Sequence, residues 1–141
     1  MKLLLWHCAY INSKDMARAS RPAGIEAYTG PPAEVRFEDV VLVFVCVETK
    51  DSAENVARAV GQILTFVQNC GLNKDLVIVP FGHLSARLAP PGQARKMLSQ
   101  VRLLLSREGL VVSEVSFGFH KEFELSFKAF GHEGSVGFRS A

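Results

Sequence analysis

Two polar residues have neighbours that do not explain them. Lys121 sits in the run Phe119-His120-Lys121-Glu122-Phe123-Glu124-Leu125-Ser126-Phe127-Lys128-Ala129. Strand alternation puts Phe119, Phe123, Leu125 and Phe127 on one face and His120, Glu122, Glu124, Ser126 and Lys128 on the other. The same period sets Lys121 among the phenylalanines, where an ammonium loses hydration. Two outcomes are open. The stem lies along apolar surface while the amine reaches water, or the lysine stands at the rim of an apolar pocket. There it would either give up its proton to its surroundings or aim its charge at a ligand.

His83 is the second. It follows Pro80-Phe81-Gly82 at the end of a predicted strand, Leu76 to Val79, and ligand sites in α/β sheets favour the carboxyl ends of strands. Gly82 lets a backbone approach a ligand closely, and its N–H is a candidate donor to an oxyanion. The alternative is a histidine that caps or bonds the following loop. His120 offers another polar group near Lys121, although alternation points it to the opposite face. His7 and Cys8 end the first strand and read more readily as buried filler than as pocket groups.

Other chemistries lack their parts. No GxSxG elbow is present, and Cys46 between Val45 and Val47 reads as a core thiol, mostly un-ionised. GxxxxGK[ST] and GxGxxG are absent, and the glycines from Gly131 to Gly137 lack the strand-then-helix setting of those loops. His7, His83, His120 and His132 show no HxxxH or HExxH spacing, and no CxxC occurs, so neither metal nor cofactor is expected. Cys8, Cys46 and Cys70, odd in number and set in apolar runs, fit reduced thiols of a cytoplasmic protein. The net charge of +2 and the absence of a Lys/Arg run disfavour gripping a long nucleic acid by charge alone. Any RNA contact is then local or helped by another domain.

The elements that must hold these residues follow from pattern. With 141 residues, 48% hydrophobic and 21% charged, the chain reads as one α/β domain over 1–141. Lys2 to Cys8 is an opening strand; its apolar run stops too early for a signal peptide or a membrane span. Ala9 to Pro32 reads as a long excursion with room for a strand and little else assigned. Val40 to Val47 (VVLVFVCV) suits a strand covered on both faces. Asp51 or Ser52 caps a helix whose stripe is Val56, Val60, Ile63, Leu64 and Val67, and Gly71 ends it. Pro90-Pro91 introduces a second helix, with Ala94, Met97, Leu98, Val101, Leu104 and Leu105 on one side and Gly109 closing it. Leu110 to Val115 and Phe119 to Ala129 are strands separated by Ser116-Phe117-Gly118, and the tail from Gly131 is a candidate edge strand. That order gives a mixed β-sheet flanked by two main helices.

These stretches together resemble the N-terminal editing domain of archaeal-type threonyl-tRNA synthetase, a relative of the D-aminoacyl-tRNA deacylases. LLLWHCAYI at 3–11 is similar to that family's first strand, with a histidine and a tyrosine at this spacing, and VVLVFVCVE at 40–48 to its second long strand. VIVPFGHLSARLAPP at 77–91 is similar to its PFAHLSS-type segment, and FGFHKEFELSFKAFGH at 117–132 to its FGYYKAFKIS-type segment. The resemblance is in order and covers nearly the whole chain.

It implies a D-aminoacyl-tRNA deacylase-like fold and hydrolysis of serine wrongly esterified to threonine tRNA, with the terminal adenosine's 2′-hydroxyl helping to activate water. His83 and Lys121 match the family's two main functional side chains. The substrate-binding residues implied are Val45, Cys46, Pro80, Phe81, Gly82, Phe117, Gly118, Phe119 and His120, with His7 and Glu133 as weaker candidates. Gly82 replaces a common alanine, and His120 stands where a tyrosine is frequent. Glu133 is displaced from the position where the family tends to carry a carboxylate. The partners implied are the 3′ end of seryl-tRNA, a second copy in a homodimer, and a synthetase catalytic chain or domain; no cofactor or membrane is implied. Two rivals stand beside this reading: a D-aminoacyl-tRNA deacylase of the same fold, and a non-catalytic amino-acid or RNA-binding module.

Overall fold

The long runs of β-branched residues pair into one sheet. A computed structural model describes residues 1–18, 23–71, 75–128 and 136–141. Among these, six strands join: β1 (Lys2–Arg18), β2 (Glu34–Cys46), β3 (Asp75–Pro80), β4 (Val112–Glu114), β5 (Phe119–Phe127) and β6 (Val136–Ser140). The order is β4-β3-β2-β1-β5, with β6 also against β1. β2, β3 and β4 run parallel, and β1 is antiparallel to β2, β5 and β6. The sheet is mixed and carries two helices, α1 (Ala53–Cys70) and α2 (Pro91–Arg107), as the element order predicts.

Alternation gives the sheet two apolar faces. Leu3, Leu5, Val41, Val43, Leu76 and Ile78 point to one side, where Val56, Ile63 and Phe66 of α1 and Leu98, Val101 and Leu105 of α2 cover them. Leu42, Phe44, Val77 and Val79 point to the other and pack with Cys8, Ile11, Phe81, Phe123 and Leu125. Helix ends follow local chemistry. Ser52 is the N-cap of α1, and Asn55 Oδ1 accepts its backbone N–H at 2.9 Å. Gly71 ends the helix with φ of 115°, and Pro91 opens α2, where its missing N–H leaves no bond unmade.

Three expected boundaries are corrected. The excursion from Ala9 to Pro32 begins as strand: β1 continues to Arg18, with register irregularities between Cys8 and Tyr10 and between Asp15 and Ala17 that break simple alternation. β2 starts at Glu34, not Val40, because Lys14 and Glu34 begin a pairing that runs unbroken in direction to Lys2 and Cys46. The strand expected over Leu110 to Val115 is reduced to Val112–Glu114, the length that β3 pairs. The tail strand expected from Gly131 is found at Val136–Ser140. No helix among the described residues is long and apolar enough to cross a membrane.

Candidate active site

Parallel neighbours β2 and β3 end side by side, and a cavity of about 450 Å³ opens at those carboxyl ends. The chain leaving β3 is folded back along the end of β2. Phe81 N–H donates to Val45 O, Ala89 N–H to Val47 O and Thr49 N–H to Arg87 O, each at 3.0 Å. Ser85 Oγ donates to Glu48 Oε1 at 2.6 Å. That hydroxyl, acting against burial, holds the Glu48 carboxyl below its usual value. The segment between these anchors makes a 3₁₀ turn over Gly82–Leu84 and presents His83, exposed, to the cavity. The Phe81 ring meets the Phe44 ring edge-on at 4.7 Å and the His83 ring at 5.0 Å.

Lys121 comes from the opposite wall. Its side chain is only 5% exposed, and its partner is Asp15 on β1, whose side chain is 1% exposed. Nζ donates to Asp15 Oδ1 at 2.8 Å and to Ser116 Oγ at 2.9 Å. Burial alone would raise the Asp15 carboxyl, but hydrogen bonds from Lys121, Ser116 and the Ala33 N–H outweigh it and hold it below 3.8. The amine is therefore shielded from bulk water and does not stand alone among phenylalanines. Its ammonium lies 5.4 Å from the Phe119 ring centre, still at the cavity.

The structure gathers most of the residues singled out from sequence. Val45 and Cys46 line the cavity from β2, Pro80, Phe81, Gly82 and His83 from the end of β3, and Phe117, Gly118, Phe119, His120 and Lys121 from the approach to β5. His120 is exposed, as alternation requires, yet borders the cavity. His7 does not join them: it is buried elsewhere, with Nε2 3.3 Å from Asp39 Oδ1. Glu133 lies outside the described residues. Burial raises both thiols, Cys46 above 9.0 and Cys8 to about 11, which disfavours a cysteine nucleophile at neutral pH.

Sequence reading missed Asp15, Ser116 and the wall formed by Ile25, Leu88, Ala94 and Leu98. Alternation around Asp15 is broken by the β1 irregularity, and the wall residues are ordinary apolar positions until the fold brings them together. The resulting cavity is mostly apolar, with an ammonium and two imidazoles on its lining and no carboxylate among its described lining residues. That balance suits a ligand that is anionic or develops negative charge as it reacts.

Gly82 is open to a direct check. A Cβ there would lie 3.3 Å from Leu88 Cδ1, tight but against the far end of a side chain that is 43% exposed. Gly82→Ala is expected to change unfolding free energy by less than about 0.5 kcal/mol, as for an unstrained surface site. Thermal unfolding of the pair measures it; a fall of about 2 kcal/mol or more would mean that Leu88 is fixed as cavity wall.

A family described as the Archaea-specific editing domain of threonyl-tRNA synthetase matches residues 1–140. The threonine--tRNA ligase of Cenarchaeum symbiosum is 35% identical over 143 residues, covering 99% of this chain and 21% of that protein. That of Hyperthermus butylicus is 34% identical over 131 residues, covering 89% and 20%. The chain thus spans about a fifth of the length of these curated relatives. A solved c-Myc DNA Unwinding Element Binding Protein aligns over 100% of this chain and 99% of its own, with a TM-score of 0.70 and 12% identity, a likeness of fold alone.

Proposed function

The chain belongs to the archaea-specific editing-domain family of threonyl-tRNA synthetase, and from that membership we propose that it hydrolyses the ester of serine mischarged onto threonine tRNA. The observation that carries the reading is the cavity in which the clamped Lys121 ammonium faces an apolar wall and the His83 loop. Ester hydrolysis needs an attacking water, a held oxyanion and a way to prefer serine. Lys121 supplies a positive charge for the oxyanion, an interaction that strengthens as the tetrahedral intermediate forms. The 2′-hydroxyl of the terminal adenosine helps activate the water, and His83 positions that hydroxyl.

Selectivity comes from crowding. Val45, Pro80 and Phe81 form the side of the cavity that meets the amino-acid side chain, and threonine's additional methyl has to displace them. A misfit of one methyl is worth about 1–3 kcal/mol, roughly tenfold or more in rate. The partners in this reading are the 3′ end of the tRNA, a synthetase catalytic chain or domain, and a second copy of the chain; a monomeric mass by light scattering at assay concentration removes the last.

Deacylation of matched L-seryl- and L-threonyl-tRNA tests the reading. The serine ester is expected to disappear about tenfold faster or more. Loss of a D-aminoacyl ester with L-serine spared assigns the site to D-amino acids instead, and saturable binding without turnover leaves a binding module. If L-serine stays attached at high protein concentration, the proposal falls.

A further inference from the structure

Antiparallel pairing sets Asp15 of β1 directly opposite Lys121 of β5. A register irregularity follows Asp15 immediately, between Asp15 and Ala17, where an extra residue re-aims side chains. The result is a closed polar triangle. Lys121 Nζ donates to Asp15 Oδ1 and to Ser116 Oγ, and the Ser116 hydroxyl, 2.7 and 2.6 Å from the two Asp15 oxygens, donates its single proton to that carboxylate. Oδ2 also accepts the Ala33 N–H at 2.7 Å, and Asp15 N–H returns a bond to Ala33 O at 2.9 Å. Every corner of the triangle is satisfied, and the carboxylate is held from β5, from the residue before β2 and from the segment between β4 and β5.

We propose that Asp15, with Ser116, is a positioning residue that fixes the direction of the Lys121 side chain at the cavity wall. An ammonium has three N–H donors, and two of them are committed to Asp15 and Ser116. One remains for a ligand. An amine held on one side by a carboxylate and a hydroxyl presents its remaining donor toward the cavity, which suits it to hold developing negative charge. This inference rests on the functional reading above, in which Lys121 meets the oxyanion.

Asp15→Asn and Ser116→Ala test it on two readouts. The first is the split between kcat and KM. A misdirected ammonium loses an interaction made in the transition state, so Asp15→Asn is expected to lower kcat about 100-fold with little change in KM. Ser116→Ala keeps the ion pair and loses less. The second is reductive methylation of Lys121 relative to exposed Lys50, followed by mass spectrometry on the folded chain. The parent is expected to modify Lys121 much more slowly than Lys50, and both variants to raise the ratio several-fold. Should Asp15→Asn fail to fold, Ser116→Ala carries both readouts. Unchanged kcat, or unchanged methylation in a folded variant, overturns the inference. A parent chain with no deacylase activity removes the functional reading; the methylation ratio then still upholds or overturns the clamp.

Discussion

Lys121→Met is expected to destabilise the fold by about 3–5 kcal/mol, because it removes one partner of a buried ion pair and strands the other. With the Asp15 and Lys121 side chains 1% and 5% exposed, water reaches the lost partner's place only from the cavity side and replaces it poorly. The loss has a definite pH dependence. In the parent, hydrogen bonds from Lys121, Ser116 and Ala33 overcome burial and hold the Asp15 carboxyl below 3.8. Its stabilising contribution is therefore complete above the unfolded value and lost as pH falls through the lower folded one. Without Lys121 the largest lowering contact is gone while burial remains, opposed only by Ser116 and the Ala33 N–H, so the Asp15 carboxyl rises from its parent value. The variant's deficit then shrinks on acidification, and the two stability curves converge. Asp15→Asn combined with Lys121→Met removes the stranded charge and is expected to recover most of the loss at neutral pH. Urea unfolding of the three chains across pH measures this. A pH-independent deficit under about 1 kcal/mol would place the pair with exposed salt bridges. Deacylation by Lys121→Met is accordingly compared per folded molecule, where a loss supports the proposed oxyanion contact and is not an effect of folding.

How much of this could be read from residues alone depends on distance along the chain. The strand Val40 to Val47 and the stripe of α1 are contiguous signals, and the caps at Ser52, Gly71 and Pro91 act within a turn of where they stand. Of the cavity-lining residues, His83 with its Pro80-Phe81-Gly82 turn, Lys121 and His120 were legible from local pattern, because each stands in a short segment at a strand end; Val45, Cys46, Phe117, Gly118 and Phe119 entered only through the family resemblance. The second half of β1 was not. Asn12, Lys14 and Asp15 look like loop residues, yet antiparallel pairing on both sides of β1 gives their backbone its partners. In Glu34 to Glu38 the alternation of Val35 and Phe37 with charges was present but short. The fate of Lys121 was the hardest to foresee. Its period placed it correctly on the phenylalanine face, but its partner lies 106 residues earlier, and only the β1–β5 register brings the two together.

That register also makes Gly118 the second position where one methyl should matter most. Its φ of 87° is left-handed, a conformation that costs an L side chain about 1–2 kcal/mol. An added Cβ would overlap Thr29 Cγ2 and lie 3.1 Å from Ile25 Cγ1. Ile25 is buried and lines the cavity, so relief by moving the 25–29 segment opens a wall of the site. Relief by moving the turn instead displaces Ser116, a corner of the Lys121 clamp. Gly118→Ala is therefore expected to lose about 2–5 kcal/mol, strain and overpacking together, and to lower deacylation by the folded fraction as well. Thr29→Ser separates the two terms. It deletes Cγ2 while keeping the Thr29 Oγ1 group that donates to Glu26 O at 3.2 Å. Adding it to Gly118→Ala should restore the part due to Thr29 and leave about 1–2 kcal/mol of backbone strain plus the tight Ile25 contact. Thermal unfolding of the four chains gives both terms. If Thr29→Ser restores nothing, Thr29 yields freely to the turn, and backbone strain with the Ile25 contact makes glycine necessary at 118.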